Sequence, residues 1–256
     1  MIVVESKKSK RATIEKRYPN AVIIDVTSRS EDEYVKFSPF YPHGGIPVPY
    51  SQGVYGKSVE GIWQGLKVFE NTGISKAAFD NDTMKNLKRT VAKYGRVRGH
   101  QKGVFSKELL DYGTARRQIY ARIYRWVLDH KVQNLVTIIR NLSASQTVVL
   151  LDYNTNGDID DTSTPLSHAS LIKAYIEGNY PTFESDGVIM EASEEGKKPF
   201  EMNFEVGQRV KHYVYGEGVV TEIRGGFVNV DFGGNVKTFR LGFAKLEVVK
   251  EEVDEV

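Results

Sequence analysis

The clearest period in the chain lies in residues 57–69. Val59, Ile62, Leu66 and Phe69 recur there at the i, i+3, i+7 spacing of one buried helical stripe. Ser58 stands at the N-cap position, where its hydroxyl can accept from an orphan backbone N–H. At about 100° per residue, Glu60, Gln64 and Lys67 fall together on a neighbouring face, with Trp63 between them and the stripe. Gly61 and Gly65 lie one turn apart on a third face. Each costs roughly 1 kcal/mol against Ala in a helix interior, which points to close approach of another element. Short apolar or β-branched runs at 2–5, 21–26 and 147–151 predict strands. Residues 9–18 predict a basic helix broken by Pro19. Further helices are expected over 74–94, capped by Asp82 or Thr83, over 106–141, and over 171–177, ended by Gly178. In 106–141, Tyr120, Ile123, Tyr124 and Val127 mark one face, most simply a core face. The four prolines and two glycines of 37–50 forbid a helix in that stretch.

Beyond residue 180 the pattern changes. Residues 182–203 are rich in Glu and Lys with few apolar positions, the composition of a linker. Residues 204–249 show short β-rich runs punctuated by glycine, the spacing of a small five-stranded barrel. Residues 251–256 form an acidic tail. The expected organisation is a first domain over 1–182, a linker over 183–203, and a barrel over 204–250.

The chain of 256 residues is 40% hydrophobic and 27% charged, a globular composition. It has no apolar run of about 18 residues, so no membrane span is expected, and the first residues lack the order of a secretory signal. Cysteine is absent, which removes disulfides, thiolate metal ligands and Cys nucleophiles. A cytoplasmic location is expected. The net charge of +2 conceals an asymmetry: residues 1–185 carry 26 Lys+Arg against 19 Asp+Glu, a net +7, while 186–256 are −5. Within 85–125 twelve cations face only Glu108 and Asp111. That concentration fits a phosphate-bearing partner, nucleic acid included, or else an ordinary solvated helix surface.

Three other stretches carry candidate chemistry. In 37–50, Phe40, Tyr41 and His43 sit in a loop that could stack on a flat base or plug the core. In 95–103, glycines alternate with Arg96, Arg98 and Lys102, an arrangement that lets backbone N–H groups and guanidinium forks meet phosphate oxygens together. It lacks the Walker spacing. After the 147–151 strand, Asp152-Tyr153-Asn154-Thr155-Asn156-Gly157-Asp158-Ile159 imitates the start of a calcium loop. Its twelfth position is Ser163, without the bidentate Glu such a loop needs. It reads better as an acidic loop beyond a strand end, where active sites often lie.

Two resemblances follow. Residues 204–220, with Val228-Asn229-Val230-Asp231-Phe232, Lys237-Thr238-Phe239 and Phe243-Ala244-Lys245-Leu246-Glu247, resemble the C-terminal Tudor-like domain of UvrD/PcrA-type helicases. That implies an SH3-like barrel binding protein, such as RNA polymerase, or nucleic acid. Over about 35–180 the chain resembles the NADAR (YbiA-like) family. The matching pieces are Phe37-Ser38-Pro39-Phe40-Tyr41-Pro42, Ser58-Val59-Glu60 through Gln64 and Lys67, Lys88-Arg89, Gln133-Asn134 leading to Leu142, and Leu150-Leu151-Asp152. Two positions depart from that family: Gly61 stands where it usually has His, and Asn156-Gly157-Asp158 lacks its Trp-Gly pair. The resemblance implies a mainly helical fold that cleaves N-glycosidic bonds in ADP-ribosylated or phosphoribosylated bases. The fold class expected is therefore α+β: a mainly helical first domain plus a small all-β SH3-like barrel.

The residues allow a mechanism of that kind. Cleavage builds positive charge on the ribose ring, which a nearby carboxylate can stabilise while activating water. Glu60 is the expected carboxylate, with Asp152 or Asp158 as the second acid. Lys67, Arg96 and Arg98 would hold phosphates. Trp63, Phe40 or Tyr41 would stack on the base, with Gln64 and His43 in the same binding set. No cofactor and no metal is required. The competing reading is a non-enzymatic adaptor that binds nucleic acid through its basic residues and tethers a partner through the barrel. Glu60 with Gln64 and Lys67 favours the enzyme, because an adaptor has no use for a buried carboxylate.

Overall fold

In a computed structural model the described residues are 1–181, 204–212, 215–224, 227–240 and 246–249. The linker expected over 183–203 and the acidic tail lie outside them. The chain divides into two compact units, Met1–Ser193 and Glu194–Val256.

The first unit is built on a three-stranded parallel sheet. β1 (Ile2–Ser6) and β2 (Val22–Asp25), joined through helix α1 (Arg11–Arg17), both pair with β8 (Val148–Asp152), giving the order β1-β8-β2. β8 reads Val-Val-Leu-Leu-Asp, the continuous apolar run of a central parallel strand. In register, Ile2 and Val22 flank Val148, and Ser6 reaches Asp152. A 3₁₀ turn at Glu33–Phe37 leads into the proline-rich loop and a two-residue ladder of β3 (Ile46–Pro47) with β4 (Tyr55–Gly56).

Helix α2 (Val59–Leu66) follows as the periodicity predicts, and the Ser58 hydroxyl accepts from the Gly61 N–H at 3.0 Å. It stops at Leu66. Residues Lys67–Phe69 become β5, in an antiparallel sheet β5-β6-β7 with β6 (Val97–Gln101) and β7 (Leu109–Leu110). The close approach foreseen at the two glycines is made by α3 (Lys76–Phe79). A Cβ on Gly61 would meet the Ala78 carbonyl oxygen at 2.6 Å, and one on Gly65 would meet the Phe79 ring at 2.1 Å. The first of these explains why no side chain, His included, is accommodated at position 61.

The mainly helical expectation is overturned. Residues 74–94 form only α3 and α4 (Val91–Tyr94); between them Met84 and Asn86 adopt positive φ of 57° and 58°, which no helix interior permits. The cation-glycine stretch 95–103 is not all loop: it contains β6, entered through Gly95 at φ +79°. Residues 106–141 hold β7, α5 (Tyr112–Ala115), a π-helical turn at Arg116–Ala121, α6 (Arg122–His130) and the start of α7 (Gln133–Ser145). Of the core face expected there, Ile123, Tyr124 and Val127 are buried in one core with the sheet, while Tyr120 is only partly buried and lines a cavity. Periodicity alone does not mark where a helix is interrupted. α8 (His168–Glu177) closes the unit, with Gly178 left-handed at its end. α7 and α8 pack against the parallel sheet. The unit is thus mixed α/β with several small sheets.

The second unit contains the five strands expected: β9 (Arg209–His212), β10 (Gly216–Arg224), β11 (Phe227–Asp231), β12 (Val236–Arg240) and β13 (Leu246–Val248). They form an antiparallel sheet in the order β12-β11-β10-β9-β13. The barrel expectation fails here. Closure requires the two edge strands to pair, and β12 and β13 do not pair among the described residues. Gly218 is required by packing, since a Cβ there would meet Phe232 at 2.6 Å. Val210, Val220, Val228, Val230 and Leu246 form its small core.

Candidate active site

In open parallel sheets, ligands favour the crevice beyond the carboxyl ends of the strands. A cavity of about 480 Å³ lies there in this protein. Thr27 and Ser28 line it just beyond β2, and Asp152, Tyr153 and Asn154 line it at the end of β8. α2 supplies Glu60, Trp63 and Gln64, and β5 begins in it with Lys67. Ser38, Phe40, Lys88, Tyr112, Arg116, Tyr120 and His168 complete the polar and aromatic lining.

Glu60 is buried, with 8% of its surface exposed. Its backbone N–H donates to the Pro39 carbonyl at 2.8 Å, which ties the proline-rich loop to the start of α2. The Gln64 amide donates to its Oε1 at 2.9 Å. No donor reaches Oε2 among the described residues. Burial raises the Glu60 pKa, opposed by the Gln64 hydrogen bond and by Lys67 and Lys88. Both ends of the Gln64 side chain are engaged: its Oε1 accepts from the Arg89 backbone N–H at 3.1 Å. It orients Glu60. Arg89 in turn donates to the carbonyls of Gln64, Lys67 and Gly73, at 3.1, 2.5 and 2.7 Å. These bonds fasten the 80–90 segment and deliver Lys88 to the cavity.

Asp152 is also buried, but its oxygens are occupied. Oδ1 accepts from the Tyr153 N–H at 2.7 Å. Oδ2 accepts from the Ser167 hydroxyl at 2.8 Å, the Ala169 N–H at 3.3 Å and the His168 Nδ1 at 2.9 Å. Nε2 of His168 faces the Val26 carbonyl at 2.8 Å, so both ring nitrogens meet acceptors and the ring is held as an imidazolium. Burial opposes that charge, and Asp152 outweighs it, leaving the His168 pKa raised. For Asp152 burial acts upward and is overcome by His168 and the donor set, leaving its pKa lowered. The two acids are thereby driven apart, Glu60 above the ordinary carboxylate value and Asp152 below it.

The π-helical turn builds the facing wall. With its i→i+5 bonds and larger radius, it presents Arg116 and Tyr120 to the cavity while Ile119 and Ala121 stay in the core. Arg116 is fully buried and donates to the carbonyls of Asp161 at 2.5 Å and Asp158 at 3.2 Å; its Nε has no partner among the described residues. Tyr120 meets the edge of Trp63 at 5.7 Å. Burial, then Glu60 and Asp152, push its pKa well up, so it remains a phenol, within electrostatic reach of both acids. One face of Trp63 is covered by His100, stacked at 3.7 Å, and Lys67 lies 5.7 Å from its ring centroid.

The cavity therefore brings together Glu60, Asp152, Phe40, Trp63, Gln64 and Lys67 from the residues singled out in the sequence, and leaves out five. Tyr41 packs on His43, whose Nε2 meets the Lys36 carbonyl at 2.8 Å and whose pKa burial lowers to about 4. Arg96 and Arg98 are exposed beside Glu70. The Asp158 carboxylate accepts from the Asp160 N–H, one of a series of side-chain-to-backbone turns that shape the acidic loop. Among the described residues no group of three or more His, Asp or Glu side chains is placed to hold a metal. Lys88, Arg116, Tyr120 and His168 were missed. Lys88 had a signal, its place in the Lys88-Arg89 pair. Arg116 had only its place among the cations of 85–125, and Tyr120 only a core-face periodicity.

Residues 6–172 match a family described as a family of unknown function, DUF6939. The chain belongs to that family. The matched span covers both acids, the aromatic walls and the cations of the cavity. No curated protein and no solved structure matches the chain. No helix among the described residues is long and apolar enough to cross a membrane.

Proposed function

We propose that this protein is an N-glycoside hydrolase acting on a phosphate-bearing ribosylated nucleobase, such as an ADP-ribosylated base. The observation that carries the reading is a buried carboxylate with one free oxygen, Glu60, in a cavity whose walls are aromatic and whose other unpaired charges are positive. The resemblance of the sequence to NADAR proteins supports the same chemistry.

In hydrolysis the C1′–N bond breaks and its electron pair leaves with the base nitrogen. Positive charge develops across C1′ and the ring oxygen. Oε2 of Glu60 stands free to accept the proton of an attacking water, whose oxygen bonds to C1′. The departing base nitrogen takes up a proton, and the Tyr120 phenol is a donor in the same cavity. Asp152 takes a different part from the one its sequence position suggested. With every oxygen engaged, it holds His168 and the β8 end in place rather than acting on water. Lys67, Lys88 and Arg116 match phosphate oxygens, and Trp63 and Phe40 match the plane of a base.

The test is a screen for base or ribose-phosphate release from ribosylated nucleotides and ADP-ribosylated oligonucleotides. The intact protein and its Glu60→Gln variant are compared. Turnover by the wild type and a loss of at least about 100-fold in the variant is expected, the lower end for a positioned acid or base. Equal turnover by both proteins removes Glu60 from the chemistry.

A further inference from the structure

Positive charge does not end at the cavity. Residues 85–98 contain six cations, Lys85, Lys88, Arg89, Lys93, Arg96 and Arg98, and no Asp or Glu. Lys88 lines the cavity while remaining exposed, which places it at the mouth. Arg89, the next residue, has its guanidinium 5.0 Å from the Phe69 centroid and 5.2 Å from that of Tyr94, and Lys93 lies 5.1 Å from the Tyr94 centroid. The stack of Arg89 on these two rings, with its backbone hydrogen bonds, pins the segment against β5, and Lys93 adds only an exposed contact. β5 itself starts inside the cavity at Lys67 and ends beneath the stack at Phe69. Glu70 then meets the Arg96 backbone N–H and the Arg98 guanidinium, each at 3.4 Å. At about 3.3 Å per residue, the three steps from Lys67 to Glu70 place the Arg96–Arg98 end of the row roughly 10 Å out from the cavity.

The row is unneutralised. Lys85, Lys88, Lys93 and Arg96 are exposed and make no ion pair among the described residues. The Arg98–Glu70 pair is long and exposed, of the kind that contributes little. Val91 and Val97, 57% and 44% exposed, stand between the cations. Cations alternating with exposed apolar side chains, beginning at an aromatic cavity, match a chain that alternates phosphates with unstacked bases. An acidic polypeptide would satisfy the charges but has nothing for the aromatic cavity in which the row begins.

We infer that residues 85–98 form a track for single-stranded nucleic acid, whose target nucleotide turns from the track into the cavity. The inference rests on the proposed function only for the fate of that nucleotide; strand binding is measured without turnover. A single strand is the fitting form because a base inside a duplex must first leave its stack to enter such a site.

The experiment is fluorescence anisotropy with the full chain and an unmodified, dye-labelled oligothymidylate of about 12 nucleotides, at several salt concentrations. The wild type is compared with the triple variant Lys93→Ala/Arg96→Ala/Arg98→Ala. The variant is expected to bind at least about tenfold more weakly. Its slope of log affinity against log salt is expected to fall by about 2, since each phosphate contact on a single strand contributes roughly 0.7. Its melting temperature should match the wild type, because all three side chains are exposed. An unchanged affinity and slope overturns the track. So does a duplex of the same length that binds as tightly as the strand, or polyglutamate that displaces the strand equally well at matched charge. Absence of turnover on every glycoside, with strand binding lost in the variant, would leave the track standing and remove only the hydrolase.

Discussion

At the scale of single residues, burial governs what each titratable group can do. Glu60 has a raised pKa because desolvation outweighs its Gln64 hydrogen bond. If it acts as the base, the acidic limb of kcat/KM lies above the ordinary 4.5 of a glutamate, and Glu60→Gln abolishes that limb together with most of the rate. A limb that persists in the variant would belong to another group. His100 shows the opposite shift. Its ring is 1% exposed and neither nitrogen has a partner among the described residues; burial, then Lys67, lowers its pKa to about 3. Between pH 6.5 and about 3 the unfolded chain binds a proton that the folded ring refuses, so stability falls with pH by up to about 1.4 kcal/mol per unit. His100→Phe keeps a ring against Trp63 and removes two unsatisfied polar atoms. Thermal unfolding should show the variant more stable than the wild type, with an advantage that widens from pH 7 to pH 4. A constant difference across that range contradicts the assigned shift.

At the scale of elements, α2 is held by what touches it rather than by its own propensity. It has eight residues, all buried, and two are glycine. Gly65 exists for the Phe79 ring, and a methyl group there overlaps it at 2.1 Å. Gly65→Ala should therefore destabilise the first unit by about 1–3 kcal/mol through overpacking, although Ala is the better helix former. Chemical denaturation would register this as a lower midpoint at constant slope. A stabilised variant would mean that α3 gives way and that the close packing is not required. The π-helical turn makes the same point: Arg116 and Tyr120 in it both line the cavity, while Ile119 between them stays in the core.

At the scale of the whole molecule, the family match and the cavity both fall in the first unit. If the second unit recruits a target, a chain ending at Ser193 should fold and process a small ribosylated nucleotide at near the full rate. It should lose activity mainly on a tethered target, because tethering raises effective concentration without adding contacts in the site. Parallel assays of both substrates at matched salt decide this, since the first unit's excess of positive charge makes nucleic-acid binding salt-dependent. Equal losses on both substrates would assign the second unit a part in completing the site.

Local patterning alone determined the strands of the parallel sheet, the Ser58 cap, the close approach at Gly61 and Gly65, and the adjacency of Glu60 and Gln64 on one helix, whereas Lys67 joins them in the cavity from the start of β5. These depend on period, cap chemistry and the missing Cβ, all of which act within a few residues. Tertiary structure decided the rest. A helical period over 106–141 cannot say where β7 or the π-helical turn interrupts it, because the buried stripe continues through both. The five C-terminal strands carry the same alternation in an open sheet as in a closed one, and closure is a property of their edges. Asp152 and Asp158 look equivalent in the acidic loop. Only the fold gives one of them His168 and Ser167 as partners in the cavity, and turns the other onto its own backbone. Lys88 and Arg116 reach Glu60's cavity from distant parts of the chain because Arg89 and the π-helical turn carry them there, and no spacing in the sequence encodes that distance.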